Sequence, residues 1–220
     1  MRKGLGWLLG LAALVAAAFG GSYYYQYRTE QDAARRIQTI TAASLTGLRE
    51  QARLTPFLAR FVAVVTSRQQ RLGLSAERTM IMPGTVRYEL DLTAIRPQDL
   101  VWDEGEKRLD ITLPPLILDG PQVDLQGIRQ YGENGLLTLF TDAAQTLDDT
   151  NKKAAQTELM KQAQGAVPMR LAREAARNAI ERSFVMPLRA AGIEATVSAH
   201  FAGEKAGKPA DGAAAAEDGK

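Results

Sequence analysis

Residues 84–92 read GTVRYELDL: Val86, Tyr88, Leu90 and Leu92 alternate with Arg87, Glu89 and Asp91. Successive side chains of a strand point to opposite faces, so this period of two is the mark of a strand buried on one side only. The segment leading into it, Met80-Ile81-Met82-Pro83-Gly84, carries a proline and a glycine. Proline removes a ladder donor, which predicts an edge position or a bulge there, with Gly84 as a backbone device at the start of the strand.

Upstream, Phe57–Thr66 (FLARFVAVVT) combines a β-branched apolar run with a preceding proline and reads as a buried strand. Residues 28–54 read as a helix, with Ala33, Ile37, Ile40, Ser44, Leu48 and Ala52 on one stripe and Arg35, Arg36, Arg49, Glu50 and Arg53 opposite. Pro56 is expected to end it. Such a stripe must be covered by the chain's own domain or by a neighbouring copy, and the break at that proline favours the neighbour.

Downstream, Leu100–Trp102 and Leu109–Leu113 flank Asp103-Glu104-Gly105-Glu106-Lys107, a hairpin closed at Pro114-Pro115. Pro115–Gly135 is turn-rich and reads as a surface excursion, and the short apolar piece Leu136–Phe140 has no assignable state. A helix follows from Asp149 or Thr150 to Gln164, with Asp149 as its N-cap. A second runs from Pro168 to about Met186, where Pro187 and Gly192 stop it. It sets Ala172, Ala175, Ala176, Ala179, Ile180 and Ser183 against Arg170, Arg173, Glu174, Arg177 and Glu181. The alternation of Ile193, Ala195, Val197, Ala199 and Phe201 predicts a last strand. Strands, then helices, then one returning strand give an α+β domain: a mostly antiparallel sheet with both helices on one face.

At the other end, Gly4–Tyr27 lacks any charged side chain, follows Arg2-Lys3, and is bordered by Trp7 and by Tyr23, Tyr24, Tyr25 and Tyr27. A helix of that length spans roughly 30–36 Å, enough for a bilayer's hydrocarbon core, and aromatics suit its two interfaces. A cleaved signal peptide ending at Ala16-Ala17-Ala18 is the rival, but the apolar run continues past it to Phe19. The expected organisation is a transmembrane anchor (1–27), a juxtamembrane amphipathic helix (28–55), an α+β domain (56–201) and a disordered tail (202–220) of small and polar residues. The short basic N-terminus resembles that of a signal-anchor, which puts the domain outside the cytoplasm.

Charge is partitioned. Residues 28–78 carry nine arginines against four acids, residues 89–149 four basic residues against thirteen acids, and residues 150–201 eight basic residues against four acids. Such segments neutralise one another within a fold, and without interleaved aromatics they do not suit nucleic acid. No cysteine and a single histidine, His200, exclude cysteine and Cys/His metal chemistry. His200 falls opposite the apolar row of the last strand and reads as a surface residue. Asp103-Glu104-Gly105-Glu106 lacks the every-second-residue oxygen ligands of a calcium loop, and Asp119-Gly120-Pro121 reads as a turn. Phosphate-binding glycine loops and the nucleophile elbow are missing too. No catalytic, metal-binding or cofactor-binding residue is assigned.

The stretch Gly84–Ile95, the strand Leu109–Pro115, the alanine-rich helix and the closing strand occur in an order that resembles the bacterial family called domain of unknown function 4230. The likeness runs over residues 35–201, with Gly84, Asp91, Leu113 and Pro114 on its short motifs. It implies an N-terminal membrane helix and no activity. The family's function is not established; the anchor, the amphipathic juxtamembrane helix and the missing catalytic constellation give the expected function, a single-pass, membrane-anchored, non-enzymatic module of the bacterial inner membrane that binds a protein partner or itself. An oligomeric scaffold and a hydrolase using the carboxylates of residues 99–124 are the alternatives.

Overall fold

The computed structural model describes residues 34–71, 74–132 and 143–204. The expected membrane span, the piece Leu136–Phe140 and the tail beyond residue 204 lie outside them. Among the described residues no helix is long and apolar enough to cross a membrane.

Helix α1, described over 34–50, leads into β1 (Arg53–Arg71) and β2 (Leu74–Asp91), which form one long antiparallel hairpin. β3 (Leu100–Asp103) and β4 (Arg108–Leu113) form a second hairpin, followed by β5 (Ile117–Val123) and β6 (Arg129–Gly132). Helices α2 (Ala143–Ala163) and α3 (Ala166–Ala190) precede β7 (Thr196–Phe201). The fold is α+β as expected, but it has two sheets. One has the order β1-β2-β5 with β6 also on β2, and the other is β3-β4-β7. β7 runs parallel to β4, with Ile111 opposite Ala199 and Leu113 opposite Phe201.

β2 is central, which corrects the edge position expected from Pro83. The proline fits because its backbone faces a break in the sheet. The Asp124 N–H donates to the Pro83 carbonyl at 3.0 Å, where β5 has ended and β6 has not begun. Gly84 is likewise a packing residue in mid-strand, since a Cβ there would sit 2.8 Å from Leu159 Cδ1 of α2. The expected turn at Asp119-Gly120-Pro121 is a bulge within β5, where Thr85 pairs Gln122 and Arg87 pairs Asp119. The supposed excursion 115–135 thus contributes two strands, because β2 offers them its free side. β1 has a bulge of its own between Leu54 and Phe57, and Pro56 lies in it.

The helices divide between the sheets. α2 covers the long hairpin through Ala155 and Leu159 on Ala63, Met80 and Met82. Polar contacts fix its other end: buried Asn151 accepts from Ser67 at 2.6 Å and donates to the Arg78 carbonyl at 2.9 Å. Tyr88, fully buried, donates its hydroxyl to Ala163 O at 2.8 Å, and burial raises the pKa of the phenol. α2 begins at Ala143, so Asp149 is inside the helix and not its cap.

α3 supplies Ala176, Ile180, Phe184 and Leu188 to the main core, with Leu90, Leu92 and Ile95, the buried rows of β4 and β7, and Leu45 and Leu48 of α1. The helix runs through Pro187 to Ala190. Only one donor is lost in the last turn, and Leu188 is held in the core. The end is a Schellman motif: Gly192 (φ 74°) donates to Arg189 O and Ile193 to Leu188 O, both at 2.9 Å.

The buried face of α1 is Ile37, Thr41, Leu45 and Leu48, one step round from the expected stripe, with Ala52 exposed. Its cover includes the domain's own core, contrary to the neighbouring copy expected. The helix stops before Pro56 is reached, at Ala52, whose φ of 56° is left-handed and whose carbonyl accepts from Leu92 N at 2.9 Å. A left-handed alanine costs about 1–2 kcal/mol, of which glycine's greater unfolded freedom returns about 0.5–1. Ala52→Gly is expected to raise stability by about 0.5–1 kcal/mol, read as a higher urea midpoint at unchanged slope.

Candidate interaction surface

From residue 58 to residue 70, β1 alternates strictly. Leu58, Arg60, Val62, Val64, Thr66, Arg68 and Gln70 are exposed, while the residues between them are covered or half-covered. The sequence suggested a strand buried on both faces. The covered row is Phe57, Ala59, Phe61, Ala63 and Val65, which packs with the buried clusters under the helices. The other row leaves Leu58 57%, Val62 49% and Val64 62% exposed. Beside it on the same face, a shallow open groove is lined by Arg68, Gln70, Glu77, Thr79 and Tyr131.

β1 is also the edge of its sheet. In an antiparallel pair, a residue's N–H and C=O point the same way, and opposite residues either exchange bonds or both turn outward. Pro83 turns its carbonyl toward Asp124, so its partner Val62 also turns outward. The register is unbroken from Phe57 to Arg71, so residues 58, 60, 62, 64, 66, 68 and 70 all present backbone groups to the open edge. On this edge Gln162 Nε2 reaches the Val62 carbonyl at a long 3.3 Å.

On the other sheet, two outer N–H groups of the β7 edge are capped by side chains. Glu181 Oε1 accepts from Ala199 N at 2.9 Å and Glu204 Oε2 from Phe201 N at 3.4 Å. Glu204 is itself held by Arg177 at 3.1 Å and Arg173 at 3.4 Å. Glu181, expected on a free polar face, is thus an edge cap, and residues 202–204 of the expected tail pack against the domain through Glu204.

Charges on the long sheet are paired. Arg60 meets Asp124 at 2.9 Å, and Arg68 Nε meets Glu77 at 2.9 Å. Buried Glu89 lies between Arg53 at 3.0 Å and Arg87 at 3.5 Å. Arg87 also bonds Asp119, which raises the pKa of the guanidinium above its ordinary value. At the neighbouring turn Asp91 accepts from the Thr93 hydroxyl and N–H, and these bonds lower its carboxyl pKa.

The other residues weighed in the sequence do not converge. His200 is half-buried on β7, with Nε2 3.3 Å from Thr112 Oγ1. Asp103 accepts from Glu106 N, Glu104 from the Trp102 indole, and Glu106 and Asp110 bind Arg108. Asp99, Asp119 and Asp124 bind Arg96 N, Arg87 and Arg60. Every carboxylate of residues 99–124 is thus turned to a partner. Among the described residues no group of three or more His, Cys, Asp or Glu is placed to hold a metal. The sequence signal for the edge was present but unused: β1 has Arg53, Arg60, Arg68 and Arg71 and no acid at all.

The family model described as protein of unknown function (DUF4230) matches residues 46–198. No curated protein and no solved structure matches the chain.

Proposed function

The chain belongs to the DUF4230 family, and from that premise we propose that it is a single-pass, membrane-anchored, non-enzymatic binding module of the bacterial envelope. Residues 4–27 are its anchor, the domain lies on the extracytoplasmic side of the inner membrane, and the edge and open face of β1 are its working surface. The carrying observation is the contrast between two edges: carboxylates cap two outer N–H groups of β7, while the far longer edge of β1, with Leu58, Val62 and Val64 exposed beside it, stands open. An exposed, long, apolar edge strand is an aggregation hazard that proteins ordinarily blunt, so leaving it open favours a partner. The charge-free run at residues 4–27 supports the anchor.

Because the chain has no cysteine, a single one reports cleanly. Val62→Cys is expected to form a protein adduct with a membrane-impermeant, thiol-reactive crosslinker in intact spheroplasts, and Ala63→Cys, on the buried face, is not. Adducts seen only after lysis would reverse the orientation. Equal yields at both positions, or none at position 62, would remove β1 as the surface. An adduct of twice the chain's mass would favour an oligomeric scaffold.

A further inference from the structure

We propose that the open edge of β1 takes up an extended strand of a partner protein whose row on the open face is apolar at its centre and carries a carboxylate at each end. This rests on the reading of β1 as the working surface. The outward backbone groups of residues 58–70 form a ladder half about 40 Å long, and strand addition to such an edge draws its affinity from main-chain bonds. Specificity then comes from the side chains that stand beside the added strand. On the open face these are Leu58, Val62 and Val64, with Arg60 and Arg68 between and beyond them.

The charge of that row decides the partner. Arg60 and Arg68 are 63% and 69% exposed, and each already meets one carboxylate of its own chain. A guanidinium has five N–H donors in a fork, so each keeps donors for a second carboxylate. A second copy would bring another row with arginine and no acid, and like charges across a strand pair are unfavourable. The even-numbered residues of 60–68 share one face, so the match is a strand whose every-second-residue row is apolar between two carboxylates, its apolar residues lying against the two valines and its carboxylates against the arginines. Gln162, whose amide touches the Val62 carbonyl, has to release it for the ladder to form.

The test uses the full chain in detergent micelles and two fluorescent peptides of about nine residues, with threonine at the even positions and valine at the three central odd ones, and with glutamate at both ends in one and lysine at both ends in the other. By anisotropy the glutamate peptide is expected to bind roughly tenfold more tightly. Arg60→Ala combined with Arg68→Ala should bring the two within about twofold of each other. Val64→Pro removes an outward N–H and leaves the β1–β2 ladder intact, so it should weaken binding roughly tenfold at an unchanged thermal midpoint. If that variant melts early, Val64→Glu keeps every N–H and sets a carboxylate against the apolar centre, so it should weaken both peptides. Equal binding of the two peptides, binding of neither, or indifference to the Val64 variants would overturn the proposal. So would a dimer of the chain alone, by light scattering, that Val64→Pro dissolves, since the second copy is then the occupant. These failures leave the crosslink at position 62 standing, whereas its loss in cells overturns the working surface whatever the peptides do.

Discussion

Ala176→Arg is expected to abolish the cooperative unfolding transition and send the protein into the insoluble fraction. Ala176 is fully buried in the main core. An arginine there adds a large volume to a close contact and a charge to an apolar cluster that supplies no partner. Burial of an unpaired charge belongs to the few mechanisms that cost more than about 4–5 kcal/mol. The control is one residue along: Arg177 is half-exposed and ion-paired to Glu204. Arg177→Ala should cost no more than about 1 kcal/mol. Similar midpoints for the two variants would contradict the packing face assigned to α3.

Phe184→Ala is expected to cost about 3–5 kcal/mol, because a nearly sealed site cannot collapse around the lost ring. Phe184 is among the largest side chains of the core and shares a cluster with α1, β4 and β7. Phe184→Leu should recover most of the loss, leaving less than about 1.5 kcal/mol if the site repacks. The measurement is the urea midpoint of each variant at unchanged slope. A loss below about 1 kcal/mol for the alanine variant would mean that the cluster is not packed as described.

Much of this fold was legible where one physical signal acted alone. β2 and β7 show a period of two because each has one apolar row, and the β3–β4 hairpin is framed by a glycine loop and two prolines. The small face of α3 was legible as well, since Ala172, Ala176 and Ile180 recur at helical spacing. The misreadings lie where local chemistry is overruled by the sheet. Gly120 and Pro121 signal a turn, yet β2 offers β5 a free side and the pair is absorbed as a bulge. Pro83 signals an edge, but its missing donor points into the gap between β5 and β6. On β1 both rows are mainly apolar over residues 57–65, and Arg60 alone marks the row that α2 leaves uncovered. Periodicity carries no direction either, so the parallel pairing of β4 with β7 was invisible in the sequence.

The shared core of α1, α3 and β7 has a consequence for the order in which the chain can become a protein. Leu45 and Leu48 lie near the start of the described chain, and their cluster includes Val197, Ala199 and Phe201 from its last strand. β4 closes on β7 across about eighty intervening residues, a distant contact whose closure entropy must be met before it yields any stability. A ribosome therefore releases the long hairpin early, with its strands adjacent in sequence and in one register, and cannot complete the core until residue 201 has emerged. Throughout that interval the apolar edge of β1 stands beside an unfinished domain, and a strand that occupies it would act first as a chaperone and only later as a partner.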